Sequence, residues 1–212
     1  MSRRLVALAL WTLFCAGAPL GAAQAESHER GQALFALCTQ CHGAAGIGNR
    51  DALAPAIAGL DQWYVEAQLK KFRSGIRGKH PQDMGGLRMH PMALWLQDDA
   101  DLAAVAGYVA SLAPTRPAPQ LTGGDSARGK QLFTPCVACH GIDASGNQAM
   151  NAPALKHASD WYLLSSLQKF KDGIRGADPA DPMGAIMRAM AGTLPDEQAM
   201  RDVIAHITTL GN

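Results

Sequence analysis

The chain has 212 residues, 48% hydrophobic and 17% charged, which is enough apolar material for one or two packed domains and excludes a disordered tail. Nineteen Lys and Arg against eighteen Asp and Glu lack the basic excess of a nucleic-acid-binding protein. Five cysteines are too few for a disulfide scaffold at this length, so their placement must serve another chemistry.

Residues 1–25 read as a secretory leader. Arg3 and Arg4 precede an apolar run from Leu5 to Leu20, and Ala23-Gln24-Ala25 forms a small-x-small cleavage site before Glu26. The run is short for a membrane span and is broken by Gly17 and Pro19, although retention as an anchor stays open. Phe14, before Cys15, argues against a lipidated cysteine. The expected location is the periplasm, with four cysteines left after the leader is removed.

The remainder is one unit written twice. At an offset of 98 residues, 27–114 aligns without a gap on 125–212, with 32 identities in 88 positions. Cys38-Thr39-Gln40-Cys41-His42 falls on Cys136-Val137-Ala138-Cys139-His140, and Trp63-Tyr64 falls on Trp161-Tyr162. Gly75-Ile76-Arg77-Gly78 falls on Gly173-Ile174-Arg175-Gly176, and Met89 and Met92 fall on Met187 and Met190. The expected domains are 26–113 and 125–212, joined by a Pro-rich, semi-rigid linker at 114–124.

Both units read as all-α, each with about three main helices. Ser27 and Asp125 are expected N-caps for a first helix carrying Leu34-Phe35 or Leu132-Phe133. Asp61 and Ser159 are expected to cap a second, carrying Trp63, Leu69 and Phe72 or Trp161, Leu167 and Phe170, and stopping at Gly75 or Gly173. A third begins near Asp98 or Asp196, with Leu102, Val105, Val109 and Leu112, or Met200, Val203, Ile207 and Leu210, at helical spacing. Such a unit has a thin core and gains from a large apolar cofactor.

Cys-x-x-Cys has three readings: a thiol redox pair, half of a zinc site, or covalent haem attachment. A redox pair would need a βαβ context, and zinc would need four ligands per domain. The histidine that follows at once favours haem c. Cys38 and Cys41, and Cys136 and Cys139, lie one helical turn apart for thioether bonds, and His42 and His140 follow as iron ligands. Two haem c groups are expected. The ligand on the opposite face must recur at the offset, which leaves Met89/Met187 and Met92/Met190; spacing alone does not choose between them. Arg77 and Arg175 also recur, either to neutralise haem propionates at a domain interface or as solvated side chains.

Residues 26–212 resemble the cytochrome c4 family of dihaem periplasmic proteins, each half a small class I cytochrome c. The resemblance is carried by Cys-x-x-Cys-His, by Trp-Tyr-(x)4-Leu-x-x-Phe ending in Gly-Ile-Arg, and by Met-x-x-Met before a Leu-x-Asp helix start. In that family the iron-bound methionine lies seven residues before this leucine, which implies Met89 and Met187. The resemblance also implies that the carbonyls of Pro55 and Pro153 orient the two histidines.

The function expected is single-electron transfer in the periplasm between respiratory redox partners, with no catalysis, through two His/Met-ligated haems. A quinol-oxidising complex is the expected donor, and a terminal oxidase or small carrier the expected acceptor. Peripheral association with membrane complexes and no nucleic-acid partner are expected too. The alternative is a cytochrome subunit of a periplasmic dehydrogenase or terminal oxidase complex. A dihaem peroxidase is disfavoured, because methionines recur in both halves where that enzyme needs an open iron position.

Overall fold

The computed structural model describes residues 20–211. The leader's arginines and nearly all of its apolar run lie outside the described residues. No helix among the described residues is long and apolar enough to cross a membrane.

The first half contains α1 (Leu20–His42), α2 (Gln62–Ser74), α3 (Met84–Trp95) and α4 (Asp99–Ser111). The second contains α5 (Ser126–Phe133), a 3-10 turn at Thr134–Cys136, α6 (Val137–His140), α7 (Asp160–Lys171), α8 (Pro182–Gly192) and α9 (Glu197–Leu210). The described residues form no strand, only the isolated bridges Asn49–Ala54 and Asn147–Ala152.

Several helix ends follow the local chemistry. Asp125 accepts hydrogen bonds from the Ala127 and Arg128 amides, and Asp98 and Asp196 cap α4 and α9 through Asp101 and Ala199. Gly75, at φ 80°, closes α2. Ser27 is not a cap: α1 starts at Leu20, and the Ala-rich turn before Ser27 has the propensity to carry the helix through it. Asp61 and Ser159 stand at their N-cap positions without a capping bond. The Ser159 hydroxyl accepts instead from the Ala56 amide of the other half at 3.3 Å. The methionine-bearing segments are helical as well, forming α3 and α8, whose N-caps Asp83 and Asp181 accept from Gly86 and Gly184.

In each half the first and last helices cross tightly. Gly31 of α1 lies against the Ala104 carbonyl of α4, and Gly129 of α5 against the Asp202 carbonyl of α9; a Cβ at either glycine would overlap that carbonyl. Beside these crossings Phe35 and Phe133 are almost fully buried, facing Tyr108 and His206 at ring distances of 5.2 and 5.6 Å. Leu34, Leu102, Val105 and Val109 complete the first core; Leu163, Leu164, Val203, Ile204 and Ile207 complete the second. Asp202 is fully buried in the second crossing. The Asp125 amide, with Gln198 and Arg128, holds its carboxyl below the usual range against the cost of burial.

The halves join about a pseudo-twofold axis. Lys71 reaches Asp181 at 2.7 Å, and its counterpart Lys169 reaches Asp83, the counterpart of Asp181, at 2.7 Å. Reciprocal use of one patch is the mark of an isologous interface. Between the halves, Asp160 at the start of α7 accepts from the Gln120 and Leu121 amides at 2.6 and 2.7 Å and pins the end of the linker.

Gly129→Ala should therefore lower stability by about 1–3 kcal/mol, the usual cost of overpacking. Gly192→Ala, with open space around it at the end of α8, should leave stability unchanged or slightly raised. Denaturant midpoints of the two variants check the contrast.

Candidate functional site

The two motifs occupy equivalent places. In the first half, Cys38, Cys41 and His42 end the long helix α1; in the second, the same residues span the 3-10 turn and α6. Gly43 and Gly141, at φ 77° and 79°, then turn the chain away from the helix. A spacing of three residues on one helical turn sets the two sulfurs of each motif on one side. Cys41 also borders an open cleft of about 750 Å³, shared with Ile47, Arg50 and Gln120.

Burial acts on the thiols against redox catalysis. It pushes the Cys38 thiol up to about 11 and raises Cys136 as well. A catalytic Cys-x-x-Cys needs the reverse, a depressed thiol. Nor do three His, Cys, Asp or Glu side chains converge to hold a bare metal ion among the described residues.

The histidines are the most defined elements of the site. His42 and His140 are each only 5% exposed. His42 Nδ1 lies 2.8 Å from the Pro55 carbonyl, and His140 Nδ1 lies 2.9 Å from that of Pro153. A carbonyl oxygen only accepts, so Nδ1 carries the proton and the lone pair sits on Nε2, the state of a metal-ligating imidazole. Burial lowers both histidine pKa values, more than the carbonyl bonds raise them, which favours the neutral ring.

Each carbonyl is held by a short loop. The Gly48 amide donates to the His42 carbonyl at 2.9 Å, and the Asn49–Ala54 pair closes the loop that presents Pro55. Gly146, Asn147, Ala152 and Pro153 repeat the arrangement. Gly48 and Gly146 have φ of 85° and 80°, and a Cβ on either would stand 2.6 Å from the carbonyl carbon of the proline. These glycines do work that the sequence reading missed; their recurrence at the offset was the available signal.

The methionines lie on α3 and α8, helices packed against α2 and α7. Helical spacing places Met89 and Met92 on one side of α3, and Met187 and Met190 on one side of α8. Met89, Met187 and Met190 are half-buried, whereas Met92 is 41% exposed. His90, next to Met89, is held through its Nδ1 by the Phe72 carbonyl.

The arginines are not solvated side chains. Arg77 and Arg175 point into the junction between the halves, each over a phenylalanine of its own half, Phe72 at 4.4 Å and Phe170 at 4.5 Å. Arg77 donates to Tyr162 of the other half at 2.9 Å, and Arg175 donates to Gln68 at 3.1 Å.

Two thiols one turn apart, followed by a neutral imidazole with its Nε2 lone pair free, form the donor set of a covalently attached haem, and the chain carries it twice. The comparisons agree. The family model described as Cytochrome c matches residues 28–113 and again 126–211. A thiosulfate dehydrogenase electron acceptor of Thiomonas intermedia is 35% identical over 165 residues, covering 73% of this chain and 72% of its own. Cytochrome c4 of Stutzerimonas stutzeri is 31% identical over 206 residues, covering 93% and 94%. The crystal structure of reduced recombinant cytochrome c4 from Pseudomonas stutzeri superposes with a TM-score of 0.68 at 27% identity, covering 85% of this chain and 96% of its own. Two covalent haem c groups and electron transfer follow from this duplicated domain, and the chain belongs to the cytochrome c family as a dihaem protein of the cytochrome c4 type.

Proposed function

We propose that the protein is a periplasmic carrier that moves single electrons and performs no catalysis of its own. Cys38, Cys41, Cys136 and Cys139 would hold the two haems, and His42, His140, Met89 and Met187 would supply the ligands to their irons. The haem supplies a one-electron iron couple. The chain's own residues fix the imidazole tautomer, and a soft methionine thioether would favour Fe(II) and raise the potential. The observation that carries this reading is the pair of Nδ1-to-proline-carbonyl contacts, which readies both Nε2 atoms for iron. The partial burial of Met89, set against the exposure of Met92, supports the assignment in the first half; in the second, Met187 and Met190 are both half-buried, and Met187 is carried over as the counterpart of Met89.

The donor we infer is a thiosulfate-oxidising dehydrogenase, on the strength of the relative named as an electron acceptor for such an enzyme. Mixing oxidised protein with a thiosulfate dehydrogenase and thiosulfate should reduce both haems within turnover, followed in the visible spectrum. Reduction no faster than by thiosulfate alone would remove this donor.

Met89→Ala and Met187→Ala should each abolish one thioether-to-iron absorption band, open that iron to carbon monoxide and lower its potential. Met92→Ala should keep both bands; loss of a band in that variant would move the ligand by one helical turn. Gly48→Ala should displace the Pro55 carbonyl, loosen His42 and raise the first haem's potential, because a weaker hydrogen bond leaves the imidazole less basic and the ferric state less stabilised. Its redox titration, beside that of Gly146→Ala, should show each change confined to one haem.

A further inference from the structure

The halves share their inner contacts but not one outer face. Leu37, Ile47, Leu94 and Trp95 are exposed on the first half, whereas their counterparts Pro135, Ser145, Gly192 and Thr193 bring no large apolar side chain. Of the three tryptophans among the described residues, Trp95 alone is exposed, at 48%. A ring of that size is usually covered, and one left in water at the end of α3 marks a surface made for contact. Cys41 is likewise exposed, whereas Cys38, Cys136 and Cys139 are half-buried.

These residues form one strip. Arg30, Ala33, Leu37 and Cys41 follow one another on α1 at intervals of three, four and four residues, which sets them on one side of the helix. Trp95 closes one end, where with Arg30, Ala33 and Asp101 it lines a groove of about 340 Å³. Ile47 closes the other end, in the cleft that Cys41 borders. The strip thus runs from an aromatic ring to a sulfur at which the first haem would be attached.

The charges along the strip cancel. Arg30 and Asp101 in the groove are paired with each other twice, at 2.7 and 2.9 Å, and Arg50 and Asp51 in the cleft are one of each sign. At the start of α4, Asp99 is engaged by Lys70 and Arg73. A partner ringed by lysines or by carboxylates finds no excess of either sign here, and an anionic lipid surface finds no excess of cations. What remains is apolar area around a rigid aromatic anchor. Beside the second motif Ile142 is 79% exposed, but it adjoins the Asp143–Lys156 ion pair and stands where the first half has Ala44.

We propose that this strip of the first half is the docking face for a redox protein whose own cofactor edge is ringed by apolar, uncharged side chains, with Trp95 as the anchor and Cys41 at the point of electron passage. The proposal rests on the carrier reading above and adds which half receives such a partner. One electron crosses, with no bond made or broken and no proton moved.

A second copy of the protein presents the same apolar, uncharged face, so electron self-exchange between oxidised and reduced holoprotein is the probe, read from the NMR broadening of the haem methyl signals. The rate should change by no more than about twofold between low and high salt, because the face has no net charge to screen. Trp95→Thr should slow exchange about tenfold, as loss of a central aromatic anchor does, and Leu37→Gln should slow it less. Trp95→Phe should keep most of the rate, and Ile142→Ser should leave it unchanged. Visible spectra that match the unaltered protein show that both haems are intact in each variant.

A rate indifferent to Trp95→Thr, or one that falls steeply with salt, would overturn the docking face and leave the carrier reading standing. Holoprotein that exchanges no electrons in any form would sink both. A stable dimer in sedimentation that Trp95→Thr dissolves would overturn the proposal by assigning the strip to a permanent contact between copies. Binding to phosphatidylcholine vesicles that Trp95→Thr abolishes would overturn it by assigning the strip to a membrane surface.

Discussion

One hydrogen bond governs the chemistry of each half: imidazole Nδ1 to a proline carbonyl. It fixes which nitrogen carries the proton and leaves the Nε2 lone pair free, and it holds the ring against rotation. That bond exists only because a loop returns to the motif after a dozen residues. The loop closes through the Asn49–Ala54 and Asn147–Ala152 pairs and through glycines whose φ and lack of Cβ let the chains touch. The helix crossings at Gly31 and Gly129 serve the same end from below, setting the first helix, and so the motif at or just beyond its end, against the last helix of its half.

Duplication turns this local arrangement into a two-centre device. Because the halves share their patches, a contact made by one is made in mirror order by the other, as Lys71–Asp181 and Lys169–Asp83 do. The exchange is not perfect. Gln68 answers to Ser166, His90 to Arg188, and Tyr108 to His206. These departures give otherwise equal motifs unequal hydrogen bonds and charges.

The placement of charge at the junction follows from the cost of burial. The carboxylates Asp83 and Asp181 are nearly inaccessible and stand beside lysines from the opposite half. Lysine supplies a compact charge for a single oxygen, whereas arginine lies flat on an aromatic ring and offers a fork. Arg77 and Arg175 lie on Phe72 and Phe170 in this way, which ties the end of α2 and of α7 to the centre of the molecule.

The repeat, the helical class, the haem motif, the cap at Asp125 and the helix starts near Asp98 and Asp196 were legible in the sequence, because each depends on residues close together in the chain. Even Pro55 and Pro153 were legible once the motif suggested a family. Contacts between distant residues were not. Nothing local in Ser159 says that its hydroxyl serves Ala56 in the other half, and nothing local in Lys71 names Asp181 as its partner. The start of α1 also escaped, since Ser27 satisfies the cap pattern equally well whether or not an Ala-rich turn precedes it. The choice of haem chemistry lay in five consecutive residues; how two haem domains face each other was decided only by the fold, because an interface is set by shape and charge across hundreds of possible pairings that chain order does not rank.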